Sequence, residues 1–200
     1  MSSGLGFVFI LLAFTTIYKK DSFKYINQDV GQPTVSPYKS VDAMSIPYYT
    51  YSYTGFKESL ALRESRGRYR AINTLGYLGR YQFGVSTLAL LRIRDIKSFL
   101  HKPELQEKAL KSYLAYNKWL LQDEIAEYSG QIINGVEITE SGILASAHLA
   151  GPQNVKRYLR TQGKRKTKDA YGTRVDHYME EFAHYDLTSV KPLQHPNSLQ

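Results

Sequence analysis

The chain has 200 residues, with 26 Lys and Arg against 18 Asp and Glu, a formal charge of +8, 42% apolar residues and 22% charged ones. This balance excludes a wholly disordered chain and a polytopic membrane protein, and the length fits one domain of ordinary size. The absence of Cys excludes disulfides, thiolate metal sites and cysteine nucleophiles, while the positive charge favours an anionic partner: nucleic acid, phospholipid or a charged wall polymer.

In chain order, Gly4 to Tyr18 is uncharged and holds the continuous apolar run Phe7 to Phe14. At ~13–15 residues the run is shorter than a spanning helix and suits an export signal or short membrane anchor over residues 1–20. Lys19-Lys20 follow the run and no basic residue precedes it, which weighs mildly against export of what comes after. Residues 21–54 read as a Pro-, Ser- and Tyr-rich linker, with Pro33, Pro37, Pro47 and the tyrosines 48, 49, 51 and 53. A mainly α domain with one small β-hairpin is expected over residues 55–186. Phe56, Leu60 and Leu62 open a helix that stops at Gly67, and Val85 to Ile93 forms a second. The longest runs from Pro103 to about Tyr128. Asn134-Gly135 favours the tight turn of a hairpin over Gln131 to Ile138. Thr139 caps a helix from Ile143 to Ala150, Pro152 opens another through Leu159, and Val175 to Phe182 makes the last. Residues 187–200, with Pro192 and Pro196, are expected to form a flexible tail.

Glu64 carries the most chemistry. Steps of four from Phe56 through Leu60 reach it, so its carboxyl lies on the stripe that faces the core. It also sits in the last helical turn, where the dipole disfavours an anion. Both influences favour the protonated form, which suits a general acid acting on a poor leaving group such as a glycosidic oxygen. The simpler alternative is a helix-end Glu paired at the surface with Arg63, Arg66 or Arg68.

Around Glu64-Ser65 the chain continues with Asn73, then Gly76-Tyr77-Leu78-Gly79-Arg80-Tyr81-Gln82-Phe83-Gly84, and much later Ala147-His148-Leu149-Ala150-Gly151. This order resembles the lysozyme-like superfamily, in particular soluble lytic transglycosylases and goose-type lysozymes. There a Glu-Ser holds the catalytic acid, a Gly-Leu-Met-Gln segment follows, and Ala-Tyr-Asn-Ala-Gly opens a third motif. A fourth, Glu-Thr followed by Tyr-Val, is faintly matched by Thr173 and Tyr178-Met179. The chain is still more similar to a peptidoglycan-binding branch with Gly-Tyr-Leu-Gly-x-Tyr-Gln-Phe-Gly and a motif matched by Ile138 to Gly151. The likeness covers about residues 56–185. His148-Leu149 replaces the Tyr-Asn pair, so a sugar-contacting amide is missing, and either His148 takes over a polar contact or the subsite is rebuilt.

The resemblance implies cleavage of peptidoglycan glycan strands between N-acetylmuramic acid and N-acetylglucosamine. Glu64 is then the catalytic acid and base, and Ser65, Tyr81, Gln82, His148 and Tyr178 are substrate-binding. Tyr81 packed inward and His148 as a satisfied core residue are the structural alternatives. Hydrolysis ordinarily needs a second carboxylate. Asp95, Glu140, Asp169 and Asp176 are available, none in a recognisable motif, which favours the anhydro-forming transglycosylase route over the muramidase one. A binding module of the same fold without turnover is the alternative reading.

Lys156, Arg157, Arg160, Lys164, Arg165, Lys166, Lys168 and Arg174 crowd one stretch. They could hold anionic wall polymer; without a helix-turn-helix, finger or aromatic RNA motif, nucleic acid is not the expected partner. His101, His148, His177, His184 and His195 lack metal-ligand spacing, so neither metal nor cofactor is expected. The expected location is the cell envelope, with possible membrane association through residues 4–18.

Overall fold

Eight helices and one two-stranded hairpin appear in the computed structural model, which describes residues 51–165 and 172–196. The chain is mainly helical, as its periodicity predicts. The apolar segment 1–20, most of the linker, Lys166, Lys168 and Asp169 lie outside the described residues. Among the described residues no helix is long and apolar enough to cross a membrane.

Helix α1 spans Tyr53–Ser65, so its first turn takes in the end of the expected linker. The Ser52 side chain accepts the Gly55 N–H at 3.2 Å and fixes this start. Phe56 and Leu60 are fully buried, whereas Leu62 is 67% exposed and contributes nothing to the core. The helix ends as Arg66 turns left-handed. Helix α2, Val85–Leu90, is shorter than expected, because Arg92 at φ 60° breaks it before the buried Ile93. Helix α3, Ile96–His101, has no counterpart in the sequence reading. Asp95 creates it: its carboxylate accepts the Ser98 N–H at 2.9 Å as a cap.

The expected long helix divides into α4, Pro103–Leu120, and α5, Gln122–Tyr128. Leu121 leaves helical geometry between them with its side chain wholly buried, trading a turn of helix for apolar contact. The hairpin pairs β1, Ile132–Ile133, with β2, Val136–Glu137, Ile133 facing Val136. Asn134 and Gly135 both adopt positive φ, the geometry a two-residue hairpin turn requires. Thr139 Oγ1 accepts the Gly142 N–H at 3.1 Å and opens α6, Glu140–Ala150. Helix α7, Pro152–Arg160, and α8, Val175–Glu181, complete the set.

All described residues belong to one compact unit with two adjoining apolar clusters. Helix α6 is buried continuously from Ser141 to Ala147, as a helix enclosed by others must be. It sends Leu144 and Ala145 into one cluster and Ile143 and Ala147 into the other. Gly142 lets α8 approach it: a Cβ there would sit 2.5 Å from the Met179 carbonyl oxygen. Gly142→Ala is therefore expected to destabilise the protein by ~1–3 kcal/mol, the usual cost of overpacking, measurable as a lower urea midpoint.

The flexible tail is a correction. Leu187 and Val190 are buried, and Leu193 N–H donates to the Ala115 carbonyl at 3.0 Å, so residues 187–193 pack on α4. Burial of two aliphatic side chains outweighs the Pro and Thr content that signalled looseness.

Candidate functional site

Glu64 stands one residue before the end of α1, partly exposed, in line with Phe56 and Leu60. Its Oε1 accepts the Tyr178 hydroxyl from α8 at 2.8 Å. Burial, and then the nearby Glu64 carboxylate, push the Tyr178 hydroxyl well above its usual range, so it stays a donor. The Arg63 guanidinium lies 5.6 Å above the Tyr178 ring and reaches Glu181 at 3.7 Å.

Ser65 is a fastener. Its side chain is buried, donates to the Arg80 carbonyl at 2.7 Å and accepts the Arg68 N–H at 3.0 Å. A buried hydroxyl so engaged holds the Gly76–Gly84 segment against the end of α1 and offers nothing to a ligand, contrary to its expected binding role.

Tyr81 is also corrected. Its ring is completely buried and its hydroxyl donates to Glu107 at 2.8 Å, so the inward-packing alternative is the observed one. Glu107 collects further donors: Lys57 at 2.7 Å, Tyr69 at 2.9 Å and Arg80 at 3.3 Å. Arg80 in turn contacts Glu58. Burial alone would raise the Glu107 carboxyl, but the bonds from Lys57, Tyr81 and Tyr69 outweigh it and hold it below its usual range.

Gln82, at φ 50°, is nearly buried and its amide donates to the Gly79 carbonyl at 2.7 Å. It nevertheless lines a groove of about 510 Å³ together with Tyr77, Thr87, Tyr113, His148 and Gly151. Among the described residues no Asp, Glu, Lys or Arg lines this groove, and Glu64 is not among its lining residues. Hydroxyls, an amide and aromatic rings suit a neutral, hydroxyl-rich ligand.

His148 links the groove to Tyr81. Its Nε2 donates to the Tyr81 carbonyl at 2.7 Å, which leaves Nδ1 as the unprotonated nitrogen, buried and without a hydrogen-bond partner among the described residues. The imidazole meets Phe83 and Tyr113 edge-on, at 5.3 and 5.9 Å between centroids. Burial lowers its pKa to about 4, and the Tyr81 carbonyl offsets only part of this. Between about pH 4 and ~6.5 the unfolded chain then binds a proton that the folded one refuses. Stability should fall as pH drops through that window and be fully present above it. Urea midpoints at pH 5 and 7 test this: the wild-type difference should shrink in His148→Gln, which has no proton to gain.

Three of the four carboxylates weighed as a second reacting group are occupied elsewhere. Asp95 caps α3, Glu140 holds Lys118 at 2.6 Å, and Asp176 pairs with Arg174. Part of the basic stretch is likewise paired: Lys156 and the exposed Arg160 close on the buried Glu124 of α5 at 3.0 and 2.9 Å.

No family model, curated protein or solved structure matches the chain.

Sequence reasoning missed Gln106, Glu107, Tyr77 and Tyr113. One signal pointed to Gln106: it falls on the α4 stripe shared by Leu110, Tyr113 and Asn117, where a polar residue needs buried partners.

Proposed function

We propose that this protein is an envelope-directed, lysozyme-like domain that cleaves peptidoglycan glycan strands, with Glu64 as general acid and then base. The observation that carries the reading is the Tyr178–Glu64 hydrogen bond at 2.8 Å. It ties the last of four ordered motifs to the first. Ser65 on Arg80 and His148 on Tyr81 join the second motif to the first and third. Segments far apart in sequence thus converge as a shared site requires, beside a groove whose uncharged polar lining suits acetylated sugars.

Glu64 protonates the oxygen bridging N-acetylmuramic acid and N-acetylglucosamine, and the leaving sugar departs with that proton. The resulting carboxylate then takes the proton of the muramoyl 6-hydroxyl as its oxygen closes on the anomeric carbon, giving a 1,6-anhydro end. This route needs no second carboxylate, and the partners found for Asp95, Glu140 and Asp176 favour it over hydrolysis. Mass spectrometry of digested murein tests the proposal. Anhydro-muramoyl ends are expected; products heavier by one water would replace the transglycosylase route with a muramidase one.

One observation favours a second reading, a wall-binding module without turnover. The groove lining does not include Glu64, so sugar could lodge among Gln82, Tyr113 and His148 without meeting the carboxyl. Sedimentation with sacculi, in the absence of any digestion product, would mark that outcome.

A further inference from the structure

A second concavity lies on α4. Lys108, Lys111, Ser112 and Ala115 recur at three- and four-residue steps and share one face of the helix. The segment Ser189–Leu193 lies along that face, held by buried Val190 and by the Leu193 N–H on the Ala115 carbonyl. Together they line a cleft of about 410 Å³, with Lys191 among its lining residues. That volume falls in the range of small-ligand sites, ~300–1,000 Å³.

Its chemistry differs from that of the groove. Three lysines, Lys108, Lys111 and Lys191, are among its lining residues, and among the described residues no carboxylate lines it. Lys108, Lys111 and Lys191 make no ion pair with a described residue, in contrast to Lys57, Lys118 and Lys156. Basic side chains around a concavity with no acidic lining favour an anionic ligand. Ala115, Val190, Pro192 and Leu193 supply an apolar floor, and Ser112 and Ser189 border it. A matching ligand combines carboxylates with small apolar groups. The two concavities share no lining residue, yet adjacent α4 residues serve them, Tyr113 the groove and Ser112 the cleft.

We propose that this cleft binds the stem peptide carried by the muramoyl sugars of peptidoglycan, whose carboxylates and alanine methyl groups match the lysines and the apolar floor. The assignment rests on the wall-active reading above, and its test is separable from that reading.

The probe is a synthetic, N-acetylated stem tetrapeptide of alanine, γ-linked glutamate, diaminopimelate and alanine, titrated calorimetrically into the full chain. Wild type should bind it, more weakly as salt rises. The triple variant Lys108→Gln/Lys111→Gln/Lys191→Gln should bind about tenfold more weakly or worse, the combined effect of three screened charges. Amide shifts in wild type should map to residues 108–115 and 189–193, a readout independent of how the variant folds. Absence of binding, equal binding by a folded triple variant, or equal affinity for an unrelated acidic peptide would overturn the assignment. Murein digestion without peptide binding would remove the cleft and leave the cleavage reading; peptide binding without digestion would do the reverse.

Discussion

Glu64→Gln is expected to reduce murein clearing in a zymogram by ~10²–10⁴-fold, the range for losing a positioned general acid. The substitution isolates chemistry from architecture. A glutamine keeps the length and an oxygen that can accept the Tyr178 hydroxyl, now placed at 2.8 Å from Oε1. Packing around Phe56 and Leu60 is untouched, so the circular dichroism spectrum and melting temperature should stay near wild type. What disappears is the transferable proton. Tyr178→Phe makes a milder companion, since it removes the bond that orients the carboxyl and leaves the acid in place. A Glu64→Gln protein that clears murein as well as wild type would remove Glu64 from the reaction.

The second large effect concerns stability. Gln106 is fully buried, and each half of its amide is committed. Its Oε1 accepts the Arg80 N–H at 2.7 Å, and its Nε2 donates to the carbonyls of Tyr69 and Phe99, both at 2.9 Å. One side chain of α4 therefore satisfies three backbone groups, two from the segment beside the end of α1 and one from α3. Truncation to Ala strands the Arg80 N–H and the Tyr69 carbonyl, leaves the Phe99 carbonyl only the Lys102 N–H at 3.4 Å, and opens a void. Unsatisfied buried groups cost ~1–3 kcal/mol each, reduced where water refills the space, so Gln106→Ala should lose ~3–5 kcal/mol. For a chain of this size that is a fall of roughly 10 °C in Tm, measurable calorimetrically. A loss confined to a degree or two would mean that the segment is held by its other contacts.

Local signals were the legible part of this molecule. Pro103, Thr139, Asn134-Gly135 and Pro152 each act within a turn of their own position, and each marks an element boundary in the structure. Period four likewise places Glu64 in line with Phe56 and Leu60. Asp95 shows the limit of reading a residue by its charge: weighed as a reacting carboxylate, it is the cap of an unforeseen helix. Tyr81 shows the limit of reading a turn. An aromatic beside glycines can point either way, and the choice was made by Glu107, 26 residues on, which receives its hydroxyl. The His148 bond to the Tyr81 carbonyl spans 67 residues and has no local trace at all. The tail misled for the same reason, because Val190 shares its apolar cluster with Leu110, Leu114 and Ala115 of α4, far from it in sequence.

Helix α6 belongs to both apolar clusters at once, through Leu144 and Ala145 on one side and Ile143 and Ala147 on the other. Neither half can loosen without withdrawing a wall from its neighbour. Denaturation is therefore a joint event, and damage at a distant spot is felt throughout the molecule as a loss of the whole.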